Sequence, residues 1–152
     1  MAIHQERLQA SPRRRRRIAA VMGLEAASLL VASLLHLTGF VHGHARPFTA
    51  TGAGIAEAVI GIVVACGAIS LLRPGARGRG TALAVTAFAI IGVLYGLSIT
   101  TQGGDLPDIV YHVTLLPLLI ATFALLLRTS EHGGGNREAA PETSSRAVWP
   151  GS

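Results

Sequence analysis

Four uninterrupted apolar runs, at about 18–40, 53–72, 81–100 and 106–127, constrain this chain more than any other feature of its sequence. Each is 20 to 23 residues long, enough at about 1.5 Å per residue to cross a hydrocarbon core of about 30 Å. Inside lipid a segment must satisfy its own backbone hydrogen bonds, which makes helices the expected form of all four. The connections, 41–52, 73–80 and 101–105, are short, so consecutive helices are expected to be antiparallel neighbours. The predicted fold is all-α: a four-transmembrane-helix bundle running up-down-up-down. Composition points the same way, since 14% of the 152 residues are charged where a soluble domain carries about a quarter.

Orientation follows from arginine, which supplies all 13 basic residues. With the N-terminus inside, twelve of them fall on cytoplasmic segments and Arg46 alone on the other side. Such a bias predicts both termini in the cytoplasm. The run Arg13–Arg17 is therefore read as topogenic, not as a nucleic-acid patch. A lysine-free chain rich in Ala, Gly and Arg suggests a bacterial origin, hence the plasma membrane. The expected organisation is a basic segment over 1–17, the membrane domain over 18–128, and a disordered cytoplasmic tail over 129–152, which lacks periodic apolar residues. Trp149 in that tail is read as solvated. Cys66 is the single cysteine, which excludes an intramolecular disulfide and a CxxC motif.

An ionisable residue within a span is costly and is expected to face the bundle interior, with a partner. Glu25 and His36 in the first run, Glu57 in the second, and Asp108 and His112 in the fourth are such residues. Glu25, Ser28, Ala32 and His36 follow at spacings of three and four and share one helical face. Ala53, Glu57, Gly61 and Ala65 recur every four residues, which puts Glu57 on a face of small residues. Gly92 and Gly96 form a GxxxG pair on the third helix, with Tyr95, Ser98 and Thr100 near the same end. Counted from the run boundaries, His36 and Glu57 lie about 6 Å inside the extracytoplasmic end and His112 about 9 Å inside it. Glu25 stands apart in the other half. Asp105 is placed to cap the fourth helix, Asp108 suits its first turn, and Pro117 is expected to kink it.

The convergence of His36, Glu57 and His112 predicts a buried His/Glu site on the extracytoplasmic side. Two imidazoles and a carboxylate suit a divalent metal or a small polar ligand, with Asp108, Tyr111 and Tyr95 nearby. The loop histidines His42 and His44 are read as solvated, with capture of a metal as the alternative. Two other functions compete. In one, the protein is a structural or accessory subunit whose buried polar groups only fix helix packing. In the other it is a small proton-linked transporter, with Glu25 and His36 as relay; aromatic residues around Glu25 are too few to suit a cation site. An enzyme acting on a quinone or lipid is the weakest reading, because no HExxH, Ser–His–Asp or phosphate-binding loop is present.

Gly23-Leu24-Glu25-Ala26-Ala27, His36, Glu57 and the stretch Asp108-Ile109-Val110-Tyr111-His112 resemble those of small bacterial four-helix integral membrane proteins. In size and topology the chain also looks distantly like DoxX-type proteins. The resemblance spans about 17–128; it implies a four-helix fold in the plasma membrane and no particular substrate. The bilayer is the expected partner, and nucleic acid is not. Gly92 and Gly96 are expected to seat the third helix within the monomer, with homo-oligomer formation as the other use of such a pair.

Overall fold

The computed structural model describes residues 12–73 and 76–131. These form four helices: α1 (Pro12–Leu37), α2 (Ala50–Leu72), α3 (Ala76–Gly103) and α4 (Leu106–Glu131). All four are long and apolar enough to cross a membrane. The boundaries depart from the apolar runs for local reasons. α1 takes in the arginine run, starting at Pro12, since proline suits a first helical turn and arginine is a good helix former. It stops before Phe40 because Gly39 adopts φ 78°. The Phe40 N–H then donates to the Leu35 carbonyl at 2.9 Å, satisfying an end carbonyl in the manner of a left-handed cap.

α2 starts earlier than its apolar run, where the Thr49 side chain accepts from the Gly52 N–H at 3.3 Å and caps the helix. It ends at Leu72, because the next residue, Arg73, is extended, with ψ 140°. Pro74 follows in the sequence, and proline disfavours the helical region for its predecessor. The Asp105 carbonyl accepts from the N–H groups of Asp108 and Ile109, both at 3.1 Å, to open α4. Pro117 lies inside that helix. α4 continues to Glu131, three residues past the expected end of the membrane domain; residues 132–152, on which the rest of the expected tail and Trp149 fall, lie outside the described residues, as do 1–11.

Contacts run around a ring, α1 to α2 to α3 to α4 and back to α1. Met22, Leu29, Val64, Val93, Leu119 and Leu126 fill the centre. Large apolar side chains also cover the outside: Leu24 is 73% exposed, Ile91 68% and Leu106 71%. A helix apolar all round has no polar face to offer water, so its outer surface suits lipid. At one end of the bundle, hereafter the arginine end, Arg15 Nη2 donates to the carbonyls of Leu71, at 2.8 Å, and Arg73. These are end carbonyls of α2, which lack helical partners and carry the negative pole of the helix. At the other end the C-terminal half of α1, the start of α2, the end of α3 and the start of α4 meet around buried polar groups.

Candidate metal centre

His36, Glu57 and Asp108 are buried together, at 3%, 3% and 4% exposure. They offer donor atoms that all lie within 4.8 Å of one another. Each comes from a different helix and is positioned by that helix's periodicity. His36 follows Ala32 by one turn on the buried face of α1, and Glu57 lies between Gly54 and Gly61 on the buried face of α2. Asp108 occupies the first turn of α4.

The hydrogen bonds determine which imidazole atoms are free. His36 Nδ1 lies 3.1 Å from the Ala32 carbonyl and 2.8 Å from Glu57 Oε2. A carbonyl oxygen can only accept, so Nδ1 carries a proton and donates to both. His36 Nε2 is thereby directed to other uses: it lies 3.4 Å from Asp108 Oδ2, within ion-pair reach but off the line of a hydrogen bond. Among the described residues it has no hydrogen-bond partner, and neither does Glu57 Oε1. The same logic holds for His112, whose Nδ1 donates to the Asp108 carbonyl at 2.9 Å and lies 3.2 Å from Asp108 Oδ1. Thr100 Oγ1 donates to Asp108 Oδ2 at 3.3 Å. Two carboxylates each hold a histidine by its Nδ1 side, the arrangement that fixes a metal-binding imidazole's tautomer and ring plane.

The expected trio of His36, Glu57 and His112 is therefore altered in one member. Asp108 stands in the group of three close donors, and His112 lies behind it. Both sit on one face of α4, a turn apart, and the His112 ring is turned toward α3, where a Cβ on Gly96 would lie 3.0 Å from His112 Nε2. Gly92 faces Ile60 of α2 in the same way, at 2.6 Å from its Cδ1. Both glycines of the GxxxG pair thus meet groups of this chain.

Of the remaining expected residues, Tyr111 stays close, its ring edge-on to that of His112 with centroids 5.5 Å apart; Tyr95 and Glu25 do not. Tyr111 is half-buried beside Ser28, with its hydroxyl 3.3 Å from Ser28 Oγ. Tyr95 is 70% exposed and contributes only to the rim of a groove between α2 and α3. Glu25 does not join the cluster. It is buried at 4% exposure, accepts from Thr122 Oγ1 at 2.7 Å through Oε1, and its Oε2 has no partner among the described residues. His42 and His44 are both exposed, and His44 Nε2 pairs with Asp105 Oδ1 at 2.5 Å.

Two contributors lie outside the expected site residues. Thr100, just beyond the glycine pair, is one, through its hydrogen bond to Asp108. Phe48, buried at 6%, sets its ring against His36 with centroids 6.0 Å apart. The loop that carries it is tied to the α3–α4 turn by the His44 N–H, which donates to the Gly103 carbonyl at 2.7 Å. An isolated phenylalanine in a polar loop is a signal of burial, and it was available in the sequence.

Two cavities reach the cluster from different sides. One, of about 290 Å³, lies between α2 and α3 and touches Glu57 and His112. The other, of about 470 Å³, lies between α1 and α4 and touches His36 and Asp108. The chain matches no protein-family model, no curated protein and no solved structure.

Proposed function

We propose that this chain is a bacterial plasma-membrane protein, with both termini cytoplasmic, that binds a divalent metal ion from the extracytoplasmic side at His36, Glu57 and Asp108. One observation carries this reading: three buried donors from three helices share one small volume, and two of their atoms, His36 Nε2 and Glu57 Oε1, lack partners. Leaving such atoms unpaired away from water costs about 1–3 kcal/mol each, more when charged. A cation would satisfy both. It would also balance two carboxylates that lie in a low-dielectric interior beside two imidazoles and the Thr100 hydroxyl.

The donor set is nitrogen and oxygen, which suits zinc, iron or manganese more than the thiol-seeking metals. His36 and Asp108 would hold the ion directly. Glu57 would both orient His36 through Oε2 and offer Oε1. His112 and Thr100 would hold Asp108 in place. Bound there, the ion would supply Lewis-acid character at a site reached by two cavities.

A purely structural role is the second reading, and the 2.8 Å His36–Glu57 hydrogen bond favours it, since a buried pair can lock two helices without a ligand. Zinc titration of the purified full chain in detergent, read by elemental analysis after dialysis, separates the two. Near-stoichiometric zinc in the wild type, lost in Asp108→Asn and in His36→Gln while the chain keeps its helical content, supports the metal site. Wild-type protein that retains no zinc, iron or manganese overturns it in favour of the structural lock.

A further inference from the structure

The cavity between α1 and α4 has a shape that the metal reading leaves unused. It follows α1 from Leu24 to Leu35, eleven residues or about 16 Å along the helix axis. Its wall is apolar for most of that length, and it is open along one side, where Leu24 and Val31 are 73% and 56% exposed. The paired hydroxyls of Ser28 and Tyr111 lie part-way along it, and His36 and Asp108 line its loop end. His36 is 97% buried by its 3% exposure, and its Nε2 has no hydrogen-bond partner among the described residues. The crevice is thus long and apolar, opens sideways, and ends at His36 and Asp108, two residues of the proposed metal centre.

We propose that this crevice seats a long-chain alcohol, its alkyl chain lying along α1 and its hydroxyl directed to the metal held by His36 and Asp108. The inference rests on the metal reading and names the ligand class of that site. Three features select this occupant. The length, about 16 Å, suits an alkyl chain parallel to the helices. Opening to the side admits a molecule already dissolved in lipid, whose chain gains little by the transfer, so the head group must supply the selectivity. Charge then selects the head. Two carboxylates already match a divalent ion, so an anionic head would bring an uncompensated charge into a low-dielectric interior. A neutral hydroxyl adds none; its oxygen can ligate and its proton can be donated to a carboxylate.

The test uses a photoreactive diazirine analogue of hexadecanol and a matched diazirine alkane without the hydroxyl. Both are applied to the full chain in lipid nanodiscs, with zinc and after chelation, and cross-links are mapped by mass spectrometry. The hydroxyl probe is expected to label the α1–α4 crevice, to be displaced by unlabelled hexadecanol, and to lose roughly tenfold of that labelling on chelation, as expected for loss of a coordination contact. Val31→Trp, or Leu24→Trp should the first variant fail to fold, fills the crevice and is expected to abolish the labelling while zinc is still bound. Equal labelling by the alkane, labelling spread over all four helices, or labelling unchanged by the tryptophan variants would overturn the proposal. Zinc bound without crevice labelling removes the alcohol and leaves the metal centre standing. Absence of zinc binding removes both.

Discussion

At the scale of the residue, the cluster depends on how few atoms each side chain has to spare. His112 spends Nδ1 on the carbonyl one turn before it, which sets its ring plane. Gly96 leaves room for the other edge of that ring, because a Cβ there would stand 3.0 Å from Nε2. Gly96→Ala is therefore expected to displace the ring by a few tenths of an ångström and weaken zinc retention, with helical content unchanged; Gly96→Val, branched at the same carbon, is expected to do so more strongly. Zinc titration of the two variants checks the order, and equal retention in both would detach His112 from the site. His112→Gln is expected to lower zinc affinity roughly tenfold to a hundredfold, as for a residue that holds a ligand in place. A complete loss would promote His112 to a ligand. Glu25 differs in kind. Its carboxylate accepts from Thr122, in the other half of the bundle, so Glu25→Gln is expected to leave zinc retention untouched.

At the scale of the element, each helix end has an identifiable cause, and the causes are separable from the site. Thr49 caps α2 with a 3.3 Å bond in an exposed position. Thr49→Ala is expected to cost about 0.5–1 kcal/mol, the low side of the range for such caps, read as a fall in the unfolding midpoint in detergent. Gly39 holds φ 78°, where a side chain costs about 1–2 kcal/mol. Gly39→Ala is expected to lower the same midpoint by more than Thr49→Ala does. The reverse order would mean that the α1–α2 loop yields more easily than its ties to the α3–α4 turn imply.

At the scale of the whole molecule, the bundle is apolar on its outside and polar at a few interior positions, the inverse of a soluble helical protein. Orientation is set by the arginines in the proposed reading. In a Cys66→Ser background, Arg46→Cys is expected to react with a membrane-impermeant maleimide on intact cells, and Arg73→Cys only after permeabilisation. Reaction of both from the same side would mean that α2 does not span; the opposite pattern would invert the protein and move the metal centre to the cytoplasmic side.

Much of this was legible without coordinates. The four spans follow from run length against bilayer thickness, and the inward phase of Glu25, His36 and Glu57 from helical periodicity. Both are properties of a single helix, whose geometry is the same wherever it packs. Tertiary structure decided what lies between helices. Asp108 and His112 share a face one turn apart, so periodicity alone cannot say which of them completes the group with His36 and Glu57. That choice depends on the rotation of α4 against α1 and on the space Gly96 leaves at α3. The pairing of Glu25 with Thr122, 97 residues apart, and the placing of Phe48 over His36 likewise arise only when helices and loop are packed, because no local rule relates residues so distant along the chain.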